Sequence, residues 1–245
     1  MDLNLLLTIT CTLIITVVGL EAARPLKAKL RRLRHLQWDS LNLALALCLE
    51  LTVKGSIYQW YVHLSPFVAA PDLSGFHWSI RVTLAILLSD FLLYWFHRLS
   101  HRHRWLWHTH RWHHSVEELY WFSGLRSSAI EVVCYTAIQL IAGTLIFKLS
   151  AFEFTVVFCF GLFCQLWSHS NVRTPAWLPL HLVFVTPEYH HLHHSEGGMI
   201  KQNYGAMLSI WDRLFRTTIR HLNFSQDLNY GLRRPQNYWR MLIGF

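Results

Sequence analysis

The chain has 245 residues, enough for one large domain, and 53% of them are hydrophobic. Only 15% are charged, against about 25% in a soluble globular protein. That deficit, with 12 Trp and 15 Phe, points to a membrane protein, and the distribution of the +8 net charge favours a membrane surface over nucleic acid.

A membrane-crossing helix needs roughly 20 mostly apolar residues. In chain order the predicted spans are Leu3–Ala23, Leu41–Leu64, Trp78–Phe96, Ala129–Phe147 and Ala151–Trp167. The first has its basic residues after the apolar run, unlike a secretory signal, so it reads as a retained anchor. The last two are joined by "KLS" and form a tight hairpin, one arm of which could be re-entrant. The run "AWLPLHLVFV" at 176–185 is too short to span and contains proline, so an interfacial segment is expected.

Nineteen of the 22 Lys and Arg fall in residues 24–38, 97–128 and 169–245. An even number of crossings separates these segments, which places all three on the cytoplasmic face and the N-terminus outside. The five cysteines, Cys11, Cys48, Cys134, Cys159 and Cys164, lie in apolar stretches without a CxxC pair and read as small buried hydrophobes. Glu50 and Lys54 share a helix face and can pair. The glycosylation-type tripeptide at Asn223 falls on the cytoplasmic side and is discounted.

Eleven of the 17 histidines fall in residues 97–114 and 190–194. His97 and His101 are four apart; His110, His113 and His114 form HxxHH, and so do His190, His193 and His194. At helical spacing each group aims its imidazoles at a common point, and repetition of the pattern sets it apart from a merely cationic surface. Such a convergence is what a dinuclear metal site requires, and imidazole suits iron, zinc, copper or nickel. His169 leaves the last span on the same side and is counted as a ninth ligand. Asp90, two turns before His97, either orients a ligand or caps a polar patch. His103, His108 and His191 fall outside the repeated spacing and read as supporting residues. His35, His63, His77, His181 and His221 are left unassigned. Trp105, Trp107 and Trp112 would seat the second box at the interface.

"HRLSH", "HTHRWHH" and "HHLHH" resemble the HxxxH, HxxHH, HxxHH signature of the fatty acid hydroxylase (sterol desaturase) superfamily. "HSN" at 169–171 and "NYGAMLSIWDRLFRT" at 203–217 are similar to two further segments of that superfamily. The likeness runs from about Asp90 to Thr217 in the same order and spacing. It implies an all-α, multi-pass membrane helical bundle whose cytoplasmic helical cap carries a histidine-rich dimetal site. Residues 1–89 would be the transmembrane anchor region, 90–217 the hydroxylase-like domain and 218–245 a cytoplasmic tail. The implied ligands are His97, His101, His110, His113, His114, His190, His193 and His194, with His169. No catalytic residue beyond them is assigned. There are departures: Glu188 and His191 stand where basic residues are common around the last box, Arg126 and Glu131 keep only the ends of an RxHPxE pattern, and Arg216 replaces a glycine. Glu188 could be a further ligand or a proton relay.

The resemblance implies O2-dependent hydroxylation or desaturation of a lipid, sterol, fatty acyl or related, by two iron ions. Attack on an unactivated C–H bond needs a redox metal, which favours iron over the alternative of a dizinc enzyme. The chain has no dinucleotide fingerprint and no iron–sulfur cysteine set, so an external donor is expected: a ferredoxin, cytochrome b5 or a reduced pterin. A metal transporter or bis-histidine haem carrier would place its histidines within the spans, where this chain has almost none. A bacterial inner membrane or the endoplasmic reticulum would suit such an enzyme.

Overall fold

Apolar runs fold as helices because every backbone polar group is then satisfied within its own segment. The computed structural model describes residues 3–27, 36–49, 71, 73–196, 201–219, 228–232 and 237–245. Helix α1 covers Leu3–Ala23, as expected from its apolar length. A second helix, α2, occupies residues 36–49. The rest of the expected span to Leu64, with Glu50 and Lys54, lies outside the described residues, as do His35, His63, His221 and Asn223.

Helix α3, Trp78–Arg102, does not stop at Phe96 but carries His97 and His101 on its last turns. After a break at His103, α4 covers Arg104–His110, and short 3-10 turns follow at His113–Ser115 and Trp121–Leu125. Helix α5, Ala129–Leu140, continues through a π-helical turn at Ile141–Ile146. Helix α6, Ala151–His169, then returns after Lys148 takes the left-handed backbone (φ 49°) that the three-residue connection demands. Helices α7 (Pro187–His193), α8 (Ile210–Leu214) and α9 (Tyr238–Ile243) complete the described fold. Among the described residues there is no strand, only isolated bridges such as Pro25–Val172 and Phe184–Leu208.

Two described helices, α3 and α6, are long and apolar enough to cross a membrane; Thr8–Ala23 and Ala129–Gly143 are shorter apolar helices. The first turns of α3 and α6 are tied by Arg81 donating to Glu153 at 2.8 Å, while Ser150 and Glu153 form a capping box. Their last turns carry His97, His101 and His169. The two helices therefore run parallel, and α5, the antiparallel arm of the hairpin, brings its first turn and Glu131 to the histidine end. This arrangement explains why ligand-type residues cluster at helix termini.

Loops at that end are anchored by buried carboxylates. Glu21, on α1, accepts the backbone N–H groups of Trp121 (2.8 Å) and Asn171 (2.7 Å). Asp39, on α2, accepts from Arg126 Nε at 2.7 Å and from the Tyr120 hydroxyl at 2.6 Å. Trp112 is not at an interface: it is fully buried against Met241 and Leu242 of α9 and donates to Asn42 at 2.7 Å. Its indole N–H has a buried partner, which removes the reason to stay at a polar boundary. Trp105 remains 69% exposed. Cys159 and Cys164 are buried and Cys134 is half-buried, but Cys11 and Cys48 are exposed on their apolar helices, contrary to expectation. The proline-containing run at 176–185 forms only a 3-10 turn, Leu180–Leu182, and leaves Trp177 81% exposed.

Candidate metal centre

The eight histidines singled out by spacing and His169, singled out by its place at the end of the last span, gather into two groups. His97, His101, His110, His114 and His193 form one; His113, His169, His190 and His194 form the other. Within each group the ligand-type atoms all lie within 4.8 Å of one another. The boxes do not map onto the groups. His110 and His114 join the first group while His113 crosses to the second; His190 and His194 join the second while His193 crosses to the first. Residues i and i+4 lie about 40° apart around a helix, and i+3 lies about 60° to the other side, so HxxHH naturally serves two points rather than one. The first HxxHH is also not one continuous helix, because α4 ends at His110 and the pair His113–His114 sits on a 3-10 turn. The groups meet through stacked rings: His114 on His194 (4.3 Å between centroids), His110 on His113 (5.1 Å) and His190 on His193 (5.4 Å).

Backbone carbonyls fix the tautomers. A carbonyl only accepts, so a ring Nδ1 beside one carries the proton. His97 donates to Tyr204 O (2.8 Å), His113 to Arg126 O (2.8 Å), His169 to Gln165 O (2.9 Å) and His193 to Gln202 O (2.7 Å). His110 directs Nδ1 at the Glu131 carboxylate at 2.5 Å, and the Tyr135 hydroxyl donates to the same oxygen. The Nε2 atoms of these rings are then bare lone pairs, and they face one another. His113 Nε2 and His169 Nε2 are 3.0 Å apart, and His190 and His194 each approach a member of that pair at 3.0–3.1 Å. In the first group His101 and His114 Nε2 are 3.2 Å apart, and His110 and His114 are 3.1 Å apart.

Two lone pairs at 3.0 Å repel unless a cation lies between them. Between His113 and His169, whose Nδ1–H groups are both committed to carbonyls, a second proton does not fill that role, because burial lowers His113 to about pKa 4. The Nε2 of His193 has no hydrogen-bond partner among the described residues. Nitrogen donors held about 2.0–2.1 Å from one ion stand roughly 3 Å apart, which matches the spacings here. The residues present therefore fit a pair of metal ions.

A family model for fatty acid hydroxylases matches residues 82–217, which contain all nine histidines. The chain belongs to the fatty acid hydroxylase family. It is 33% identical over 154 residues to alkylglycerol monooxygenase of Homo sapiens, covering 62% of this chain and 33% of that protein. It is 35% identical over 146 residues to ornithine lipid hydroxylase of Rhizobium tropici, covering 57% of this chain and 42% of that one. Over 137 residues it is 30% identical to a very-long-chain aldehyde decarbonylase of Oryza sativa subsp. indica, covering 52% and 22%. The chain thus spans less than half the length of these relatives, and no solved structure matches it.

In this chain the remaining candidates take other places. Glu188 joins neither histidine group: it accepts the Thr174 N–H at 2.6 Å and the Thr174 hydroxyl at 3.0 Å, and so pins the loop before α7. Asp90 does not touch His97. Its carboxylate accepts Met207 N (2.9 Å), Leu208 N (3.0 Å) and Trp211 Nε1 (2.8 Å), which fastens to α3 the segment whose Tyr204 carbonyl holds His97. His191 is fully buried; its Nε2 lies 3.0 Å from Ser170 O, steadying the chain after His169. His103 is exposed and His108 half-buried, and neither enters a group. His77 caps α3 at its far end, and His181 lends its carbonyl to Ser209.

Sequence reasoning missed what holds the imidazoles. Glu131 had a signal, its retention with Arg126 in the RxHPxE-like stretch. The carbonyls of Tyr204, Gln202, Gln165 and Arg126 had none, because a backbone oxygen leaves no mark on residue identity.

Proposed function

We propose that the chain is a membrane-embedded oxidoreductase in which nine histidines hold two iron ions and use O2 to hydroxylate or desaturate a lipid. The observation that carries this reading is the pair of groups of converging imidazole nitrogens at the shared ends of two apolar helices. Residues 1–89 serve as anchor, 90–217 as the catalytic unit and 218–245 as the tail. The bundle crosses the membrane several times with its basic segments and metal site on the cytoplasmic face, as the positive-inside rule directs. The names of the relatives, a monooxygenase and a hydroxylase acting on lipids, support the same reaction class.

Iron in both groups would supply the reduction of O2 and the oxidation of a lipid C–H bond, with two electrons from an external donor such as a ferredoxin, cytochrome b5 or a reduced pterin. The protein's own part is positional. Carbonyls of Tyr204, Arg126, Gln165 and Gln202 hold four rings by their Nδ1–H groups, so each Nε2 stays aimed and neutral. The Glu131 carboxyl group orients His110 through its Nδ1. The buried setting keeps water away from the reacting centre; eight of the nine rings are buried and His101 is the half-buried one. That makes the His101 side the direction from which substrate approaches.

The test is lipid mass spectrometry of cells with and without the protein under 18O2. The expected result is a lipid that gains one labelled oxygen, or loses two hydrogens, only in the cells that make the protein. Identical lipid profiles with and without it would sink the reading.

A further inference from the structure

The sequence "HRLSHR" places Arg98 and Arg102 one position after His97 and His101. One position is a 100° turn of the helix, so the arginines form their own i, i+4 stripe beside the ligand face. That stripe begins at Tyr94, whose hydroxyl accepts from Arg98 Nη1 at 3.1 Å and lies 2.9 Å from Thr217 Oγ1. The Arg98 guanidinium also covers the Trp95 ring at 5.1 Å. Arg102 is exposed, at the end of the same stripe. Neither arginine pairs with a carboxylate among the described residues.

Tyr204 joins this stripe to the metal centre. Its ring is fully buried, 5.5 Å from His101, 5.9 Å from His97 and 6.0 Å from His193 between centroids. Its hydroxyl is buried without a well-formed hydrogen bond, and the Arg102 and Arg98 guanidiniums act on it. Asp212, the carboxylate that acts on Tyr94, is buried and committed to the N–H groups of Tyr204 and Gly205. Phe215 packs on Tyr94 and Trp95, and Arg216 follows it in a left-handed conformation (φ 56°). An exposed arginine there stands where glycine would be free of strain. The result is an unneutralised cationic rim, floored by aromatic rings, one tyrosine ring away from the five-histidine group and next to its half-buried member, His101.

We propose that Arg98 and Arg102, at the rim above the buried Tyr204 ring, bind the anionic headgroup, a phosphate or carboxylate, of the lipid on which this site acts. Guanidinium forks suit both oxyanions, and the end of an apolar helix is the depth at which headgroups lie. Fixing the headgroup there would set which carbon of the chain reaches the metals. The proposal rests on the reading of the site as a lipid oxidoreductase and narrows its substrate to a lipid with an acidic head.

Native mass spectrometry of the metal-loaded protein in detergent tests it without relying on turnover. The probes are palmitate, dipalmitoyl phosphatidate and, as neutral partner, dipalmitoylglycerol. The wild type should retain one palmitate or phosphatidate per chain and no dipalmitoylglycerol. Arg102→Gln, with an exposed side chain and little role in folding, should weaken retention at least tenfold while the metal content stays at the wild-type value. Arg98→Gln should do the same, Arg102→Lys should restore part of it, and Arg104→Gln, beside His108 on α4, should leave it unchanged. Retention that is equal for acidic and neutral lipids, that survives Arg102→Gln, or that falls as much with Arg104→Gln would overturn the proposal. A missing metal complement in the wild type would instead count against the reading of the site.

Discussion

At the scale of single residues, the centre depends on contacts with no slack. Gly124 is one. A Cβ added there would stand 2.8 Å from His169 Cγ and 2.9 Å from the Gln165 carbonyl, so either the ring or the helix end must move. The Gln165 side chain holds the same place by donating to Gly124 O at 2.7 Å. Gly124→Ala is therefore expected to displace His169 from the four-histidine group and to lower metal content from two ions per chain towards one. Elemental analysis of the purified variant checks this; two ions retained at wild-type affinity would show that His169 has room to spare. Glycine was visible in the sequence, but the ring behind it was not, because the contact joins residues 45 positions apart. The nine histidines themselves were legible, eight because their spacing reports helical phase directly and His169 because it ends an apolar span. Their division into groups of five and four was not, because it depends on how α4, the 3-10 turn and α7 face each other.

At the scale of elements, the site is a junction of helix ends. Helices α3 and α6 run parallel and deliver three histidines, while the first turn of α5 brings Glu131. The segment 203–217 is the weak member, since its helix, α8, is only five residues long. Asp90 holds it by accepting three N–H groups across more than a hundred residues of sequence. Asp90→Ala would leave two buried backbone donors unpaired, at about 1–3 kcal/mol each, so a loss of about 3–5 kcal/mol is expected. Thermal unfolding in detergent measures it, and a midpoint within a degree of the wild type would show that this clamp does not hold the segment. The helices α1, α3, α5 and α6 were legible from apolar length alone. The end of α3 needed a second signal: hydropathy falls at His97, but the i, i+4 spacing of His97 and His101 put both on the end of that helix, which runs to Arg102. Trp112, by contrast, misled. An aromatic near a membrane boundary looks interfacial until a buried acceptor, here Asn42, is found for its N–H.

At the scale of the whole molecule, the two ends of the bundle differ in kind. One end is closed by the Arg81–Glu153 tie and the capping of α6; the other gathers nine imidazoles, a set of buried carboxylates and a rim of arginines. Family membership and the location of the histidine-rich end follow from the chain. Substrate, electron donor and membrane orientation are proposals built on them. The central claim is that the two groups hold two redox-active ions. Metal content and optical absorption of the detergent-purified protein test it most directly, with His113→Ala and His193→Ala alongside. The account predicts two irons per chain, no haem band, and loss of iron in each variant, with His113→Ala depleting the four-histidine group. A haem band, a metal-free wild type, two zincs in place of iron, or full iron content in both variants would contradict it.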